Sequence, residues 1–121
     1  MLVLVVDDSP ELRYLLRVLL EDAGMQVEEA IRGQDALDRL AQPPPVCAVV
    51  LDQRMPDYSG LEVAALLAER DGRQPHLILF SSYLSPPEQA EAERLGVRVV
   101  LKTNLEELVE VLRKSGSRCP A

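Results

Sequence analysis

The chain has 121 residues, enough for one domain with a buried core and too few for two. Thirteen basic residues against 20 acidic ones leave a net charge of −7. That balance speaks against direct contact with nucleic acid, whose phosphates are met by clustered Lys and Arg, and suits a basic partner surface or a metal cation.

In chain order, "MLVLVVDDS" opens with a strand over residues 2–6 that stops at Asp7-Asp8. It lacks a basic leader, and its apolar run is far below the roughly 18 residues that span a bilayer, so neither a signal peptide nor a membrane anchor is expected and the protein should be cytoplasmic. Ser9-Pro10 offers an N-cap and a first-turn proline. Leu12, Leu15, Leu16, Leu19, Leu20 and Ala23 then recur at helical spacing until Gly24 stops the helix. A weaker strand, "QVEEA" (26–30), precedes a helix near 34–41 and the "PPP" loop at 43–45.

The run "CAVVL" (47–51) reads as a central strand ending at Asp52, and "SGLE" (59–62) starts the next helix. "HLILF" (76–80) ends in Ser81-Ser82, and "SPPE" (85–88) opens a helix that Gly96 stops. "VRVVL" (97–101) ends in Lys102, and "NLEE" (104–107) begins a last helix carrying Leu105, Leu108, Val109 and Leu112. Near-continuous apolar strands are those buried on both faces. Strands alternating with helices imply a five-stranded parallel sheet, (βα)₅, with helices on both faces, in one α/β domain over 1–114 followed by a flexible tail at 115–121. Cys47 and Cys119 show no Cys-x-x-Cys spacing and read as two reduced thiols without a disulfide.

In a parallel sheet all C-terminal strand ends lie on one edge, where open α/β sheets bind ligands. Four strands therefore deliver Asp7-Asp8, Asp52, Ser81-Ser82 and Lys102 to one place. Three close carboxylates repel one another until a proton or a cation neutralises them. All-oxygen donors favour a hard divalent ion such as Mg²⁺. A carboxylate nucleophile, a metal, a lysine and a hydroxyl are what phosphoryl transfer onto an aspartate requires. Taken singly, each residue has a plainer reading: an Asp after a strand is usually a turn former, "DD" before "SPE" suits a helix N-terminus, and Lys102 is a solvated side chain. Their coincidence at four strand ends outweighs those readings.

Over about residues 2–114 these features resemble the receiver domain of bacterial two-component response regulators: the acidic pair Asp7-Asp8, the acceptor Asp52, the turn Met55-Pro56-Asp57-Tyr58-Ser59-Gly60, the switch hydroxyl Ser81, and Lys102. The resemblance implies a flavodoxin-like fold. It implies Mg²⁺ held by Asp8, Asp52 and the backbone carbonyl of Arg54, with Asp7 acting through water. It further implies phosphorylation of Asp52 by a histidine kinase or phosphotransfer protein, a downstream protein target, a possible homodimer, and no enzymatic activity beyond self-phosphorylation from a donor and self-dephosphorylation.

Four positions depart from that family's pattern. Arg54 stands two residues after the acceptor, where a small polar residue is common, and is expected to slow dephosphorylation by pairing with the phosphoryl group or obstructing water. Val99 replaces an aromatic that follows switch rotation, with Tyr83 as a candidate substitute. Lys102 is followed by Thr103 instead of proline; a non-proline cis bond costs roughly 3 kcal/mol, so a trans peptide and an altered loop are expected. Ser82, after the switch hydroxyl, is still small enough to leave the acceptor open. The alternative from another class is a degenerate receiver serving as a non-phosphorylated interaction module. A dehalogenase-type hydrolase wants Asp-x-Asp and a longer chain, and a flavin-binding domain wants a hydroxyl-rich phosphate loop where "DDSPE" stands.

Overall fold

The apolar runs become strands β1 (Leu2–Val6), β2 (Gln26–Ala30), β3 (Ala48–Leu51), β4 (His76–Ser81) and β5 (Arg98–Leu101). Between and after them lie helices α1 (Pro10–Asp22), α2 (Gly33–Leu40), α3 (Gly60–Ala68), α4 (Pro86–Leu95) and α5 (Leu105–Gly116). The structure is a computed structural model that describes residues 1–116 and 119. All four strand pairings are parallel, in the order β2-β1-β3-β4-β5. The expected five-stranded (βα)₅ architecture is present, with its strand order reversing between β1 and β3.

Side-chain alternation divides the core into two layers. Leu4, Val6, Val49, Leu51 and Leu79 face α2, α3 and α4 residues such as Leu37, Leu67 and Ala92. Val3, Val5, Val50, Ile78 and Phe80 face the other way, onto Leu16 and Leu20 of α1 and Leu108 and Leu112 of α5. Both faces of the sheet are thus covered, which is why β1 and β3 carry no polar residue.

Local chemistry sets where the helices begin. The Ser9 hydroxyl accepts from the Leu12 N–H at 3.3 Å, ahead of Pro10. Ser59 and Ser85 form reciprocal capping boxes with Glu62 and Glu88. At the start of α5 the Asn104 side-chain oxygen accepts from the Glu107 N–H at 3.1 Å, and the Asn104 side-chain amide donates to the Glu107 carboxylate at 3.0 Å. Helix α2 lacks a side-chain cap of its own; the Asp57 carboxylate, from the loop after β3, accepts from the N–H groups of Gly33 (3.0 Å) and Gln34 (2.9 Å). Those donors hold the Asp57 carboxyl below its ordinary pKa, the Gln34 N–H foremost.

Two expectations need correction. The last helix continues through Gly116, so residues 115 and 116 belong to α5 and not to a tail: the Ser115 hydroxyl is buried, 2.9 Å from His76 Nδ1, and donates to the Val111 carbonyl. Of the remaining tail, 117, 118, 120 and 121 lie outside the described residues. The two cysteines are not separate thiols but form a disulfide, with Cα atoms 5.4 Å apart. The start of β3 and the end of α5 meet at the edge opposite the acidic one, a proximity that a separation of 72 positions conceals in the sequence.

Candidate functional site

Register places the first two acidic strand ends side by side. Val6 lies level with Leu51, and the Asp52 N–H donates to the Val6 carbonyl at 3.0 Å. Asp7, Asp8 and Asp52 each bring a carboxylate oxygen within 4.8 Å of the others. Asp7 and Asp52 are buried and Asp8 is exposed, so the cluster opens to solvent on one side. Asp7 is fixed from three directions: its carboxylate accepts from the Ser9 N–H at 2.8 Å and from Lys102, and its carbonyl accepts from Arg13 at 2.7 Å.

Lys102 arrives from the far side of β4. Ser81 pairs with Leu101 across β4 and β5, and the Lys102 N–H donates to the Ser81 carbonyl, which carries the lysine just past the sheet edge. Its Nζ lies 3.1 Å from Asp7 Oδ2 and 3.2 Å from Asp52 Oδ1. The Lys102–Thr103 peptide is trans, as expected, and the ammonium still reaches both buried carboxylates. The Ser81 hydroxyl is buried and donates to the Tyr83 carbonyl at 3.2 Å. Ser82 is exposed, and the Tyr83 ring is 64% exposed, so it is not held in the pocket. Val99 is half-buried against the layer under α3 and α4.

The charges are unequally balanced. Burial pushes the Asp52 carboxyl up from its ordinary value, and the Asp7 charge adds to this; Lys102 and the Arg54 N–H oppose them without cancelling them. For Lys102, burial works against the ammonium, but Asp52 and Asp7 outweigh it and raise its pKa. A carboxyl raised by folding is one whose ionised form costs stability, so that cost sets in as pH climbs from the usual carboxyl range through the raised value and persists above it. Asp52→Asn should therefore raise the melting temperature of the metal-free protein at neutral pH by a few degrees, measured by calorimetry. Lys102 keeps Asp7 as its partner in that variant.

Three convergent oxygens carrying more negative charge than one ammonium offsets form a donor set that fits a hard divalent cation. The exposed Asp8 gives such an ion room to keep water.

The loop after β3 contains groups that sequence reasoning passed over. Gln53 is buried: its backbone carbonyl accepts from the Gly60 N–H, its side-chain oxygen accepts from the Leu61 N–H at 3.0 Å, and its amide donates to Glu88 at 2.9 Å. Arg54 points outward and pairs with Glu88, its guanidinium donating at 2.9 and 3.4 Å. The Ser85 N–H, then Arg54 and Gln53, bring the Glu88 carboxyl down to about 2. In the sequence Glu88 reads only as a capping-box residue. Gly60 is required by space: a Cβ there would lie 2.6 Å from the Asp52 carbonyl oxygen and 2.5 Å from Leu79 Cδ1.

Residues 3–113 match the family described as the response regulator receiver domain. The chain is 33% identical, over 92% of its length, to a protein-glutamate methylesterase/protein-glutamine glutaminase of Anaeromyxobacter dehalogenans, and 32% identical, over 66% of its length, to the transcriptional regulatory protein SrrA of Staphylococcus aureus. It spans about a third of each of those relatives, 35% and 32%. Its fold is similar to a response regulator receiver protein from Pseudomonas putida (TM-score 0.87, 28% identity, covering 93% of this chain and 95% of that one). It is also similar to the response regulator TrrA of Thermotoga maritima in complex with Mg²⁺ and BeF (TM-score 0.82, 32% identity, covering 94% and 97%).

Proposed function

Because the chain belongs to the response regulator receiver family, we propose that it is a phosphoacceptor switch of a two-component phosphorelay, in which Asp52 takes a phosphoryl group from a phospho-histidine donor on a histidine kinase or phosphotransfer protein. The observation that carries this reading is the contact of Lys102 Nζ with both buried carboxylates, beside an exposed Asp8, at the point where strand order reverses. Chains that share only the fold have no reason to collect those four groups.

In the reaction an Asp52 carboxylate oxygen attacks phosphorus, the phosphorus–nitrogen bond of the donor breaks, and the leaving imidazole takes up a proton. The Lys102 ammonium lies beside the attacking carboxylate and is placed to pair with a phosphoryl oxygen. Asp8, Asp52 and the Arg54 carbonyl, with Asp7 through water, would hold Mg²⁺, which would neutralise charge on the phosphoryl oxygens. Ser81, whose hydroxyl now serves the Tyr83 carbonyl, exchanges that bond for a phosphoryl oxygen and moves the β4–α4 loop with it. That exchange turns a local charge into a change of the face around α4 and β5 that a protein target reads.

Mixing the protein with acetyl phosphate and Mg²⁺ tests the reading. One covalent phosphoryl group per chain should appear, and a chelator should suppress it; uptake that ignores the chelator would count against the divalent ion.

A further inference from the structure

Glu88 has three partners that converge from two elements. Its carboxylate accepts from the Ser85 N–H at 2.8 Å as the cap of α4, from the buried Gln53 amide at 2.9 Å, and from Arg54 at 2.9 Å. Gln53 is bonded in turn to the first turn of α3 through the Leu61 N–H. One carboxylate thus ties the acceptor loop to the N-terminus of α4. Arg54 stands two residues from Asp52, and its side chain is 64% exposed, against 20% for Glu88. The guanidinium is the more exposed member of this group and has Glu88 as its carboxylate partner, whereas Glu88 is held by three donors.

We infer that Glu88 is a positioning residue for Arg54, holding its guanidinium on α4 and away from Asp52 until a phosphoryl group competes for it. The inference deepens the proposed function and rests on it for the phosphorylated state alone. A phosphoryl group carries up to two negative charges and three acceptor oxygens, a stronger partner for a guanidinium than one carboxylate already shared among three donors. When Arg54 leaves Glu88, the loop loses one of its ties to α4. The same movement places Arg54 over the phosphoryl group, where it obstructs attacking water. Phosphoryl lifetime and the firmness of the α4 N-terminus are therefore set by one shared guanidinium.

Amide exchange, followed on the whole chain without any donor, tests the tie, and phosphoryl lifetime tests the competition. In Arg54→Asn, exchange at residues 88–90 should rise about two- to five-fold, the range set by an exposed ion pair. Glu88→Gln keeps an acceptor for the Ser85 N–H but gives up the charge. It should lengthen the phospho-Asp52 lifetime about two- to five-fold, and that effect should vanish in the Arg54→Asn background. Unchanged exchange in Arg54→Asn would overturn the inference, as would an equal effect of Glu88→Gln with and without Arg54. If exchange rises as expected but no variant acquires a phosphoryl group, the acceptor reading fails and the competition with it, while the tie to α4 stands.

Discussion

Lys102→Ala should slow phosphoryl uptake from acetyl phosphate by about two to three orders of magnitude, the loss that follows removal of one preorganised donor from a developing charge. The variant should also bind Mg²⁺ several-fold more tightly than wild type. Lys102 is the cation that already sits between Asp7 and Asp52, at 3.1 and 3.2 Å, and it competes with any ion that uses their oxygens. Without it, two buried carboxylates face each other uncompensated, so the metal-free variant should melt below wild type and regain stability on Mg²⁺ addition. Rapid-quench kinetics and isothermal titration measure the two effects. Slower uptake together with weaker metal binding would mean that the lysine supports the carboxylates' geometry instead of competing for their charge.

Gly60→Ala should cost about 1 to 3 kcal/mol of stability, the range for forcing an extra methyl into a packed interior. The added Cβ would stand 2.6 Å from the Asp52 carbonyl oxygen, which is backbone and cannot swing aside, and 2.5 Å from Leu79 Cδ1, which is buried under α3. At this chain length that loss lowers the melting temperature by about 5 to 15 °C. Relief requires the start of α3 to lift away from the end of β3, so phosphoryl uptake should fall even at temperatures where the variant remains folded. Thermal unfolding and uptake measured on the same preparation separate the two consequences. Gly24, with φ of +89° and open space around it, has a conformational reason for being glycine; Gly60 has a steric one.

Much of the site was legible because its residues stand where apolar runs stop. Asp7, Asp8, Asp52 and Lys102 follow a strand and Ser81 ends one, and parallel pairing alone brings strand ends together, so five positions spread over 96 residues could be placed on one edge without knowledge of a single contact. Helix starts were equally plain, since a capping serine with Glu three residues on is a local pattern. What escaped was long-range pairing of residues that already had a local explanation. Glu88 looked complete as a capping-box residue, and its bond to Arg54 spans 34 positions. Asp57 passed as a turn residue, yet its carboxylate caps a helix that begins 24 residues earlier. Arg54 was read only for its nearness to Asp52, and its pairing with Glu88 on α4 was not foreseen. The disulfide was missed for a related reason: neither Cys47 nor Cys119 has a near neighbour that signals pairing, and only the full crossing of β3 and α5 brings them together.

The central claim is that Asp52 is a phosphoacceptor and not merely a buried acidic residue neutralised by Lys102. Intact mass of wild type and Asp52→Asn after incubation with acetyl phosphate and Mg²⁺ tests it most directly. Wild type should gain the mass of one phosphoryl group, and Asp52→Asn should gain none. An unmodified wild type, or an equal gain in both proteins, would contradict the account; the first result would favour a receiver fold that works by binding partners without phosphorylation.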